Sequence, residues 1–120
     1  MPRAYFLLLL APAALLGCGF GDPDNSDGSP PGILITKPEG TTVHDVVDFA
    51  ANVIDEGGVQ IVEFYVNDVV LGQDFTEPFE VRWNTLNNPD GSTILKVVAR
   101  DFAGNQSLVT KTVTVANSPN

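Results

Sequence analysis

From residue 33 onward, large apolar side chains fall on every second position in short runs that stop at Gly, Asn, Asp or Pro, and this period of two is the strongest constraint on the chain. Successive side chains of an extended strand point to opposite faces, so the apolar groups of each run share one face and its polar groups the other. Seven runs carry the pattern: 33–36, 46–54, 60–66, 69–73, 79–84, 93–101 and 108–115. Turn formers separate them, among them Pro38-Glu39-Gly40, Glu56-Gly57-Gly58, Asn67-Asp68, Glu77-Pro78, Asn88-Pro89-Asp90-Gly91 and Ala103-Gly104-Asn105. No window carries a helical stripe. Strands of this number and spacing predict two antiparallel sheets packed face to face.

Alternation also assigns the faces. Phe49, Ala51 and Val53 share one, as do Val62, Phe64 and Val66, then Phe79, Val81 and Trp83, then Leu95, Val97 and Ala99. These are the expected core. Val109, Val113 and Val115 share a face with Lys111, which predicts a bulge or an edge position in the last strand. A domain this small has a narrow margin of stability. The chain holds one cysteine, so no internal disulfide can tie the sheets together and apolar packing must do it.

That cysteine has a different context. Met1 to Arg3 is a short positive segment, and the apolar stretch from Ala4 to Leu16 is too short to cross a hydrocarbon core of about 30 Å. It reads as a signal peptide. Leu15-Leu16-Gly17-Cys18 resembles the lipobox of bacterial lipoproteins, in which a small residue precedes an invariant cysteine. The resemblance implies cleavage between Gly17 and Cys18, a diacylglycerol on the Cys18 thiol, and a new amino group open to a further acyl chain such as palmitate. Two or three acyl chains make a stable membrane anchor, since each buried methylene contributes about 0.8 kcal/mol. Gly19 follows, and by the same resemblance to Gram-negative lipoproteins the absence of Asp at that position implies the outer membrane in a Gram-negative host.

Residues 19–32 read GFGDPDNSDGSPPG and hold only Phe20 as a large apolar side chain, which cannot build a core. Extended, these residues would span up to roughly 45 Å. Asp22, Asp24, Ser26, Asp27 and Gly28 alternate somewhat like a calcium loop, but Asp27 stands where that loop needs glycine and Ile33 where it needs an acid. A solvated acidic tether is the better reading. The expected organisation is a signal peptide at 1–17, a lipidated cysteine and flexible tether at 18–32, a folded domain at 33–116 and a tail at 117–120.

Within the folded part, ILITKPEGTTV, then VQIVEFYVNDVVLGQDFTEPFEVRWNT, then DGSTILKVVARDFAGNQS is similar to the bacterial Ig-like (Big) domains of exported proteins and glycosidase accessory regions. The resemblance implies an immunoglobulin-like β-sandwich. Asp68 departs from the glycine usual in the tight turn, and Leu95 stands where related sandwiches carry a corner tyrosine.

Charge excludes one class of partner. The net charge is −9, and loss of Arg3 with the signal leaves five cations against fifteen acids, or −10. Such a surface repels nucleic acid and anionic headgroups. Catalysis has little to work with: His44 is the sole histidine, in a polar turn, and the acids are scattered. Trp83 is in phase with the core, which leaves Tyr65 and Phe102 as the surface aromatics that could stack on a sugar. Asn105-Gln106-Ser107 matches a glycosylation sequon, which the bacterial lipobox makes irrelevant.

An immunoglobulin topology brings Asp55, Glu56, Asp101 and Asn105 to one end. Oxygen ligands of that kind suit calcium. The same residue types also form turns by bonding their own backbone, and both readings stand on the sequence alone. An odd strand count sends the chain in at one end and out at the other. The outward end then carries Glu39-Gly40 and the candidate binding loops Asn67, Asp68, Asn87, Asn88 and Asp90. The expected function is a non-enzymatic, lipid-anchored cell-envelope module with an envelope protein or glycan as partner and no required cofactor. The alternatives are a structural spacer without a ligand, disfavoured because nothing follows Asn120 to be spaced, and a carbohydrate-binding accessory module.

Overall fold

The computed structural model describes residues 28–118. Residues 1–17, read as a signal peptide, Cys18, and most of the expected tether lie outside the described residues. Eight strands form in the order β1 (Gly32–Lys37), β2 (Thr42–Val43), β3 (Val46–Ile54), β4 (Val59–Val66), β5 (Val69–Asp74), β6 (Phe79–Asn84), β7 (Gly91–Asp101) and β8 (Gln106–Val115), with one 3-10 turn at Thr85–Asn87. They build a three-stranded sheet, β1-β3-β6, and a five-stranded sheet, β2-β8-β7-β4-β5. All seven expected strands are present.

The eighth, β2, was not legible as a strand. Thr42 and Val43 pair in parallel with Thr114 and Val115, so the first strand leaves one sheet after Lys37 and joins the other. Two residues are too few to show a period, and Val43, next to His44 in what the sequence reads as a polar turn, is buried at 4% exposure. Because β2 runs in the same sense as β1, the extra strand leaves the parity of the chain unchanged. Gly32 lies beside Ile54 at one pole, and Val115 beside Gly91 at the other.

The inward faces are those that alternation assigns. Phe49, Val62, Phe64, Leu95, Val97 and Ala99 have no exposed surface, and Trp83 has 1%. Phe49 of one sheet meets Phe64 of the other edge to face, ring centres 4.9 Å apart and planes at 75°, the arrangement favoured by the ring quadrupoles. Val81 is only half-buried, because β6 closes the edge of its sheet; it packs toward β5, where a Cβ on Gly72 would lie 3.1 Å from Val81 Cγ1.

Lys111 resolves the irregular pattern of the last strand. The register between β7 and β8 is continuous from Gly91↔Val115 to Arg100↔Gln106, so there is no bulge. Beyond Thr114 and Val115, however, no strand covers the outer side of β8. At that open edge the Lys111 ammonium reaches the carbonyl of Pro38, which lets its aliphatic stem line the core margin while its charge stays bonded.

Candidate functional site

Two loop clusters, one at each pole, contain the residues picked out by sequence. At the pole where Gly32 enters, the turns after β3 and before β8 lie together. Asp101 has no exposed surface; its Oδ1 accepts the Asn105 backbone N–H at 2.7 Å and its Oδ2 accepts Asn105 Nδ2 at 3.0 Å. Burial pushes the Asp101 pKa up, but hydrogen bonds from the Asn105 side chain and backbone, from the Ala103 backbone, and with the Asp55 side chain outweigh it, and the net shift is downward. Asp55 Oδ2 also accepts the Gly57 N–H at 3.0 Å, and Asn105 Nδ2 reaches the Ser29 carbonyl at 3.4 Å.

The structure brings Asp55, Asp101 and Asn105 into contact, with Glu56 exposed on the neighbouring turn. Their chemistry is that of a clasp. N–H groups aimed at a carboxylate turn their positive ends toward the place a cation would take, and the described residues contain no group of three or more His, Cys, Asp or Glu arranged to hold a metal. Phe102 tops this turn, 67% exposed, with its ring against Gly58, whose φ of +96° needs glycine.

The opposite pole carries the five candidate loop residues, and the structure divides them. Two have their carboxylates already bonded within the domain. Asp68 Oδ1 pairs with Lys96 Nζ at 3.0 Å, and Asp90 accepts the backbone N–H groups of Asn117 and Ser118 at 3.0 and 2.9 Å. The Asn117 bond, followed by those of Ser118, holds the Asp90 carboxyl below its ordinary pKa. Asn117 in turn accepts the Asp45 N–H at 2.8 Å and donates to Thr85 Oγ1 at 3.0 Å, so ordered contacts run past Ala116.

The other three, Asn67, Asn87 and Asn88, meet Asn84 around a cleft of about 320 Å³. Val66, Val69, Val70 and Leu71 supply its apolar wall, Trp83 its floor, and no charged residue lines it. Each of three asparagines is anchored through its oxygen. Asn67 Oδ1 accepts the Ile94 N–H at 2.9 Å, Asn84 Oδ1 accepts the Leu86 N–H at 3.1 Å, and Asn88 Oδ1 accepts Trp83 Nε1 at 2.9 Å. Among the described residues, none of the three Nδ2 groups donates to the protein. Sequence reasoning missed Asn84 and the exposed wall of β5, because a strand-end asparagine and an apolar edge strand look like any others in one dimension.

The remaining candidates are less open than the sequence suggested. Lys96 Nζ sits 4.7 Å from the centre of the half-buried Tyr65 ring, which occupies the face a sugar would use. His44 is exposed and bonds the adjacent Asp45 at 2.8 Å. No helix among the described residues is long and apolar enough to cross a membrane.

Comparison with known proteins agrees with this architecture. Among solved structures, the chain is similar to the fibronectin(III)-like modules of Clostridium thermocellum CbhA, with 23% identity over 72% of this chain and 97% of that one and a TM-score of 0.58. It is also similar to the endo-β-1,4-mannanase of Thermotoga petrophila, with 16% identity, a TM-score of 0.62, and coverage of 79% of this chain but 21% of that one. At these identities the likeness is one of fold. No curated protein matches the sequence. The model of one family, the bacterial Ig domain, matches residues 31–97, more than half of the 120-residue chain, and takes in β1 through most of β7. With the sandwich, the strand order and this match in agreement, the chain belongs to the bacterial Ig domain family.

Proposed function

We propose that this protein is a non-enzymatic contact module of the bacterial cell envelope, tethered by lipid on Cys18 and meeting its partner through the pole opposite the tether. The observation that carries this reading is the polarity of the sandwich. Gly32 enters beside Ile54, whereas the uncharged cleft of Asn67, Asn84, Asn87 and Asn88 lies at the far end. A tether of residues 19–32 rich in Gly, Pro, Ser and Asp lets that end turn outward. The described residues bring together no nucleophile, base and oxyanion donors, which supports contact over chemistry.

A spacer reading has one observation in its favour, the likeness in fold to a part of a much larger mannanase chain. Anchoring is tested by feeding cells labelled palmitate. The expected result is label on the mature protein and none on Cys18→Ser, with the N-terminal residue of the processed chain being position 18. A mature chain that keeps its first seventeen residues and a free thiol overturns the anchoring.

A further inference from the structure

We infer that the cleft at the outward pole binds an uncharged glycan segment, whose hydroxyl and ring oxygens accept hydrogen bonds from the side-chain N–H2 groups of Asn67, Asn84 and Asn88. This rests on the reading of the protein as a contact module and names the class of partner.

Three features of the cleft point to that chemistry. Its polar groups are fixed donors. Each Oδ1 is held by a structural hydrogen bond of 2.9 to 3.1 Å, so each amide is restrained before any ligand arrives and its N–H2 is left to donate. Donors ordered in advance cost no further side-chain entropy on binding. The lining is also uncharged. A phosphate or carboxylate ligand would find no counter-charge there and would meet a chain of net charge −9, whereas a neutral acceptor-rich ligand loses little on desolvation. Finally, Val66, Val69, Val70 and Leu71 give the cleft an apolar lining beside the amides, with Val69 69% exposed. A sugar ring presents both surfaces at once, oxygens at its edge and C–H groups on its face. The volume is at the small end of ligand clefts, which begin near 300 Å³, and suits a short stretch of a longer chain. A peptide added to the free edge of β5 would instead use the strand's backbone and leave the three amides idle.

The test is an ¹⁵N NMR titration of the full chain with cellotetraose and mannotetraose as uncharged probes and tetragalacturonate as an anionic one. At least one uncharged probe is expected to move the side-chain N–H2 signals of Asn67, Asn84 and Asn88 saturably, with a Kd of about 1 mM, and the anionic probe to leave them still. Asn67→Asp, Asn84→Asp and Asn88→Asp each keep the oxygen acceptor and delete the donor. Each is expected to retain a dispersed spectrum and to weaken binding about tenfold. The inference is overturned if neither uncharged probe produces saturable shifts up to about 10 mM, if the shifts centre elsewhere, such as around Tyr65, or if the three variants bind as the parent does. Palmitate labelling is read separately, so loss of the anchor and loss of the glycan site are distinct results.

Discussion

Asp101 is wholly buried and gripped from both sides by Asn105, whose backbone N–H meets Oδ1 at 2.7 Å and whose Nδ2 meets Oδ2 at 3.0 Å. The return bond runs from the Asp101 N–H to the Asn105 carbonyl at 2.9 Å, closing the turn onto itself.

This clasp makes the domain sensitive to acid. Burial alone would raise the Asp101 pKa, but the surrounding hydrogen bonds bring it below the ordinary 3.8. A carboxyl whose folded pKa is depressed contributes stability that is complete above the unfolded value and is lost as pH falls through the folded one. Urea midpoints measured across pH should therefore hold near neutrality and drop below about pH 4. Asp101→Asn is expected to lower the neutral-pH midpoint and flatten the acid limb; an unchanged acid limb counts against the clasp.

Because those donors already occupy the carboxylate, calcium and a chelator should give the same Tm. Binding at a hundredfold excess over Kd would add about 2.7 kcal/mol, readily visible by calorimetry, and a shift of that size would identify the cluster as a calcium site.

Trp83 depends on Asn88 for its one polar atom, with Nε1 donating to Oδ1 at 2.9 Å. Asn88→Ala leaves a buried indole N–H unsatisfied and should cost about 1–3 kcal/mol in chemical denaturation. Asn88→Asp keeps an acceptor and should cost distinctly less. Equal losses in the two variants would show that the bond is not what matters.

In the β4–β5 turn both central residues have positive φ, 49° at Asn67 and 66° at Asp68. This is the backbone that Asn-Gly fills best, and an aspartate there carries strain of about 1 kcal/mol. Asp68→Gly removes the strain and also the exposed pair with Lys96, worth at most a few tenths to about 1 kcal/mol. The expected balance is a gain of about half a kcal/mol in urea denaturation, with the strand register intact by NMR. A clear loss would mean that Lys96 matters more than the turn.

Phe64 is the inter-sheet partner of Phe49 and has no exposed surface. Phe64→Ala should cost about 3–5 kcal/mol, close to the whole margin of a domain this small, and give a largely unfolded chain by circular dichroism.

Local patterning determined a good deal here. The period of two settled the seven strands and the inward faces of the second, third, fifth and sixth of them, because which side chains can share a face follows from strand geometry alone. The immunoglobulin topology implied by the family resemblance, rather than the period, predicted that Asp55, Glu56, Asp101 and Asn105 share a pole. The lipobox-like Leu15-Leu16-Gly17-Cys18 is linear information as well, readable without any fold.

Tertiary structure decided what no run of residues contains. The switch of Thr42 and Val43 to the second sheet rests on pairing with Thr114 and Val115, some seventy positions away. Whether Lys111 marks a bulge or an edge depended on which strand lies beside it. Asn67, Asp68, Asn88 and Asp90 look alike in sequence, yet Asp68 and Asp90 are spent on Lys96 and on the backbone of Asn117 and Ser118, while the asparagines keep free donors around a common cleft. A hydrogen bond is satisfied or left open by neighbours in space, and only the folded chain supplies those.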